Sequence, residues 1–210
     1  MPLRWIVAAL LPAGLAAALL FARLTWTPGL TGFVANIGLA AIPVFLLAAL
    51  RPDRLWPAVP WLLFFPNAPY LVSDVVHMAP RRPVPLWYDA AMFGVLGAAG
   101  LFAAAVCVVW VTRCVRARFG SAAGAVVWIG VAMATGRAIE LGRVQRYHSW
   151  DLVLRPGEVL SDVAANLTSS AHDVWGITVV YAAAVLVFGV ALELLASPEA
   201  PARRALRSGC

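Results

Sequence analysis

The chain has no lysine: every one of its 16 basic side chains is arginine, a bias that reads as codon usage in a GC-rich genome rather than a chemical requirement. Charge of either sign is scarce, at 12% of residues, where a soluble domain carries about 25%. With 62% hydrophobic residues and a mean hydropathy of +0.84, that scarcity excludes a water-soluble fold. Cysteine occurs three times, at Cys107, Cys114 and Cys210, with no spacing that would frame a disulfide set or a metal site. Long alternating polar–apolar stretches are missing too, which excludes barrel strands. The net charge of +6 does not imply a nucleic-acid partner, because the arginines are scattered and form no dense stripe along which a phosphate backbone could run.

What is present is length of apolar run. A bilayer core about 30 Å thick takes about 20 residues of helix, and lipid tolerates no unsatisfied backbone. Six windows of that kind occur: Trp5 to Ala22, Leu30 to Leu50, Leu55 to His77, Leu86 to Thr112, Ala122 to Leu141 and Val174 to Ser197. The expectation is an all-α, polytopic transmembrane helix bundle of about six spans, forming one domain over residues 1–197 with a short basic, disordered tail at 198–210. The first window reads as a retained helix, since its apolar run exceeds a signal-peptide core.

Arginine placement orients the spans. Nine arginines fall on the face that holds both termini and seven on the other, which puts both termini in the cytoplasm under the positive-inside rule. Acids and histidines divide less evenly: His77, His148 and His172 share the second face with Asp74, Asp89, Glu140, Asp151, Glu158, Asp162 and Asp173. Titratable groups therefore gather at one surface, read as extracytoplasmic. Between spans five and six, Val159, Val163 and Leu167 recur every four residues, the pattern of a short amphipathic helix on the membrane surface.

The third window contains "FFPNAPYLVSDVVH", Phe64 to His77. Pro66 and Pro69 each lack a backbone donor, so a helix through them loses bonds to the carbonyls of Leu62 and Phe65 and breaks or kinks. The Asn67 amide offers two donors for freed carbonyls. Asn67, Tyr70, Asp74 and His77 follow at spacings of three, four and three, which places them on one helical stripe facing protein or trapped water.

Two other motifs supply partners. In "PLWYD", Asp89 sits near a helix start while Trp87 and Tyr88 suit the membrane interface; Gly94, Gly97 and Gly100 then give a small face for close packing. In "GRAIELGRVQRYHSWD", Arg137, Glu140 and Arg143 follow at intervals of three, so that each arginine could pair with Glu140. Arg146, His148, Ser149, Trp150 and Asp151 come next. Such a mixture of cations, acids and aromatics suits an anionic, headgroup-like ligand held by a guanidinium fork. Asp74 and His77, with His148, Asp151, His172 and Asp173, include ligand types for zinc or manganese. No recognised metal motif accompanies them, so an ion-pair network is preferred, no metal is assigned and no cofactor is specified.

In this order, "FFPNAPYLVSDVVH", "PLWYD" and "GRVQRYHSWD" resemble a bacterial membrane-protein family catalogued as domain of unknown function 1361. The resemblance rests on Pro66, Asn67, Ala68, Pro69, Tyr70, Asp74, His77, Trp87, Tyr88, Asp89, Gly142, Arg143, Arg146, Ser149, Trp150 and Asp151. His148 stands where the family has asparagine. The resemblance implies a multispan protein of the bacterial cytoplasmic membrane and carries no assigned activity.

Two functional expectations follow. In the first, a one-sided polar pocket binds or modifies an anionic lipid or lipid-linked envelope precursor, with Asp74 or Asp89 as general base, His77 as acid or base, and Arg143 with Arg146 stabilising negative charge. In the second, the same network is a non-catalytic clasp between helices in an accessory subunit of a membrane complex. A transporter is disfavoured, because runs such as "LFAAAVCVVWV" leave the cytoplasmic half without polar lining.

Overall fold

A helix without a polar face belongs in the middle of a bundle, and α5 (Leu86–Phe119) is such a helix. The computed structural model describes residues 3–26, 30–80, 83–147, 150–168 and 172–196. In it, 67% of the most apolar stretch of α5 is buried, against 17% for each of the outer helices α1 (Leu3–Trp26) and α9 (His172–Ala196). Every residue from Ala103 to Val109 is buried, which makes α5 the axis of the core. At 34 residues it is about 51 Å long.

A single residue, Gly120, turns the chain from α5 into α6 (Ser121–Val144). Its φ of 90° is a value that side-chain-bearing residues resist, so this abrupt reversal requires glycine. α6 then returns alongside α5 and packs most extensively on α9, while α1 packs on α5.

Among the described residues the regular secondary structure is helical, with isolated bridge residues at Arg51, Arg54 and Val84. Four helices are long and apolar enough to cross a membrane by length and composition: α1, α5, α6 and α9. The other two apolar windows are shorter. The second forms α2 (Gly32–Leu46), 15 residues or about 22 Å, which gives way to turns at Leu47. The third divides into α3 (Ala58–Phe64), α4 (Asn67–Tyr70) and a 3₁₀ helix, Leu71–His77.

The division can be accounted for bond by bond. Because Pro69 has no N–H for the Phe65 carbonyl, the Ala68 N–H donates there instead, at 3.1 Å. That leaves the Phe64 carbonyl without the Ala68 donor of a regular helix. The Asn67 side chain fills the place, with Nδ2 donating to the Phe64 oxygen at 2.9 Å. Asn67 thus serves a freed carbonyl as expected, although a different one from those next to the prolines. The broken segment also lies close to the core helix: a Cβ on Gly100 would come within 2.2 Å of the Ala68 carbonyl oxygen, so only glycine permits this approach.

After α6, a short α7 (Asp151–Leu154) leads into α8 (Pro156–Thr168), the helix expected from the four-residue repeat. Val159 is turned inward and buried while the adjacent Leu160 is exposed. The tail at 198–210, His148 and Ser149, and the side chains of Leu167, His172 and Asp173 lie outside the described residues.

Candidate functional site

The antiparallel helix order brings the end of α1, the start of α2, the 3₁₀ helix, the start of α5 and the end of α6 to one end of the bundle. Two arginine–aspartate pairs join separate helices there, and they are distinct from each other.

The first centres on Arg143, in the last turn of α6. Its Nη2 donates to Ser73 Oγ and, at 3.3 Å, to Asp74 Oδ1. Its Nη1 lies 3.1 Å from His77 Nε2, and its guanidinium carbon 4.9 Å from the Tyr70 ring centroid. Four residues of one short segment thus meet one side chain. The 3₁₀ conformation explains how: at three residues per turn, positions i and i+3 eclipse, so Asp74 stacks with His77. Ser73 continues the line begun by Tyr70, to whose carbonyl its hydroxyl donates at 2.6 Å. Since a guanidinium only donates, His77 accepts at Nε2, which puts the proton of a neutral imidazole on Nδ1.

Asp74 is 1% exposed and has a second partner, Asn36 of α2, whose Nδ2 lies 3.1 Å and 3.4 Å from the two carboxylate oxygens. Tyr181 of α9 stands close enough to Ser73, Asp74 and Arg143 to interact with them. Of these partners, Ser73 and Tyr181 had no periodic signal in the sequence, and Asn36 reads as one isolated polar residue in an apolar run.

The second pair joins α1 to α5. Arg23 Nε donates to Asp89 Oδ1 at 2.6 Å and Nη2 to Oδ2 at 3.4 Å, with the two side chains 0% and 1% exposed. Tyr88 reinforces the contact, its hydroxyl donating to the Leu19 carbonyl at 2.9 Å and its ring lying 5.1 Å from that of Trp26. Trp87, by contrast, is 69% exposed. Asp89 therefore does not share a site with Asp74 and Arg143. Phe33 lies between the two clusters, its ring 5.3 Å from His77 and 5.5 Å from Phe93, one turn beyond Asp89.

The expected pairing of Glu140 with both Arg137 and Arg143 does not form. Residues six apart on a helix point about 120° apart, so Arg137 faces α9, where its guanidinium lies 5.5 Å from the Trp175 ring centroid, and Arg143 faces the 3₁₀ helix. Glu140 is buried, and its Oε2 makes no hydrogen bond.

Beside Arg143 opens a cavity of about 690 Å³. Its polar lining comprises Asn36, Asn67, Tyr70, His77, Arg143, Arg146 and Tyr147. Leu39 of α2, Leu62 and Leu63 of α3, and Ala134, Ala138 and Leu141 of α6 supply apolar lining. Leu152 and Val159 close it from α7 and α8. Among the described residues, two arginines and no carboxylate line this space; Asp74 is paired with Arg143 and Asp89 is sealed away with Arg23.

The α7–α8 cover is tied down outside the cavity. The Tyr147 hydroxyl donates to Asp162 at 2.7 Å, which holds its pKa above the ordinary 10.0 because the bond favours the protonated phenol. Arg155 Nη2 donates to Asp151 at 2.9 Å, and Trp150 is half-exposed beside this turn. Among the described residues no group of three His, Cys, Asp or Glu side chains converges as a metal would need.

A sequence model of the family described as Protein of unknown function (DUF1361) matches residues 35–188. The chain belongs to this family. The match takes in Asn36, Ser73, Asp74, Asp89, Arg143 and Arg146, while Arg23 precedes it. No curated protein and no solved structure matches the chain.

Proposed function

We propose that this family member is a multi-pass protein of a bacterial cytoplasmic membrane, crossing it six times with both termini in the cytoplasm, and that its cavity binds an anionic amphiphile. The lipid bilayer is its surroundings, and the ligand class is an anionic lipid or lipid-linked envelope precursor. Ala58–His77 and α2 with its following turns would supply the two crossings beyond the four long helices, and α8 would lie along the membrane surface.

One observation carries the reading: among the described residues the cavity's lining has Arg143 and Arg146 without a carboxylate, together with several leucines and alanines. A guanidinium fork suits an oxyanion and an apolar wall suits a chain. Binding is favoured over base catalysis because neither Asp74 nor Asp89 reaches the cavity surface; His77 alone of the three catalytic candidates does. The test is native mass spectrometry of gently extracted protein. The wild type should retain an anionic lipid that Arg143→Ala loses, whereas an equally bare spectrum for both would count against the reading.

A second reading has its own support: Arg143 already contacts Ser73, Asp74, His77 and Tyr70, as an inter-helix clasp would. A clasp predicts that Arg143→Ala lowers the melting temperature without changing lipid retention.

A further inference from the structure

Arg146 is the residue that α6's end is least suited to hold. Its φ is 62°, and it is the only non-glycine residue with positive φ among those described. The turn is fixed by its neighbours, since the Leu141 carbonyl accepts from the N–H of Gln145 at 3.1 Å and from that of Tyr147 at 3.3 Å. A left-handed residue just past a helix end is usually glycine, because a Cβ crowds the following carbonyl oxygen there, or asparagine, whose short polar side chain can bond locally. Strain of this kind collects where a side chain is needed for function.

What the side chain does follows from its position. Arg146 lines the cavity beside Arg143, yet the two differ in commitment. Arg143 is matched by Asp74. Arg146 has neither an ion pair nor a hydrogen bond to any acid among the described residues. Among the described residues the cavity's lining therefore carries one positive charge without an acidic partner, on a side chain that is exposed rather than enclosed. That charge matches a single negative one.

We propose that Arg146 is the residue that grips and selects the ligand's headgroup, a singly charged phosphodiester, with the left-handed turn aiming its guanidinium into the cavity; this rests on the cavity's binding an anionic amphiphile. Arg143, held by Ser73 and Asp74, then shapes the wall.

The test uses the full chain in detergent with dioctanoyl-phosphatidylglycerol, its zwitterionic phosphatidylcholine counterpart and inorganic phosphate as probes. Wild type should prefer phosphatidylglycerol over the other two by about tenfold, the factor that one charge-assisted contact of about 1.4 kcal/mol supplies. Arg146→Gly and Arg146→Ala should both lose that preference. Without lipid, the glycine variant should melt about 2–4 °C above the alanine variant, because only glycine relieves the turn.

A retained preference in Arg146→Gly would overturn the role of Arg146 and leave the amphiphile pocket standing. Equal affinity for inorganic phosphate, or no binding by the wild type, would sink the pocket reading and the headgroup assignment together. Identical melting of the two variants would remove the strain argument.

Discussion

The two arginine–aspartate pairs that join separate helices at one end of the bundle do different work. Arg23 and Asp89 meet side-on, both fully enclosed, between an outer helix and the core helix. Arg143 is 23% exposed and divides its donors among Ser73, Asp74 and His77 at the edge of a cavity. The same two residue types thus give a sealed joint in one place and an accessible cation in the other. The difference lies in what surrounds them: two regular α-helices close around the first pair, whereas the broken third segment leaves space beside the second.

The sealed pair should be the more fragile when cut. Asp89→Ala deprives a buried guanidinium of its carboxylate, which costs about 3–5 kcal/mol, and should lower the detergent melting temperature more than the loss of any one partner of Arg143. Replacing both partners, Arg23→Met with Asp89→Leu, should recover most of the loss; failure to recover would show that the charges themselves are required.

Asp74→Asn should cost less, about 1–3 kcal/mol, because Arg143 keeps Ser73, His77 and partial solvent access. Its signature is altered lipid retention, which Asp89→Ala should not cause at temperatures where it stays folded. Ser73→Ala removes one neutral acceptor and should cost about 1 kcal/mol by the same melting measurement. Were it as damaging as Asp89→Ala, the contrast between the two pairs would disappear.

The smallest effects belong to the cover. Arg155 and Glu158 are half or more exposed, so Glu158→Ala should change the melting temperature little. The Tyr147–Asp162 bond is sensitive to base. Because the folded pKa of Tyr147 is raised, the bond's contribution is complete below pH 10 and is lost as pH rises through the higher folded value. Absorbance at 295 nm should show Tyr147 ionising later in the wild type than in Asp162→Asn.

Much of the architecture is visible in the residues. The unbroken apolarity of Ala103 to Val109 marks a central helix, Gly100 marks a close approach, and Pro66 and Pro69 mark a break whose freed carbonyl the intervening asparagine serves. Pairing was less visible, for a physical reason. Spacing along a helix shows which residues share a face, but the neighbouring helix decides which arginine that face meets. Arg23 resembled a topology signal at the end of a span, and its partner lies 66 residues away. The spacing of three between Asp74 and His77 fits α and 3₁₀ helices equally well, so Ser73 had no reason to be grouped with them.

That 3₁₀ segment has a mechanical side. It rises about 2.0 Å per residue where an α-helix rises about 1.5 Å, so rewinding its seven residues would draw one end toward the other by about 3.5 Å. The same rewinding would narrow the angle between neighbouring side chains such as Ser73 and Asp74 from about 120° to about 100°. Leu71–His77 is thus a segment whose length and polar face are set together, and its contacts with Arg143 mark where a change in one would be felt in the other.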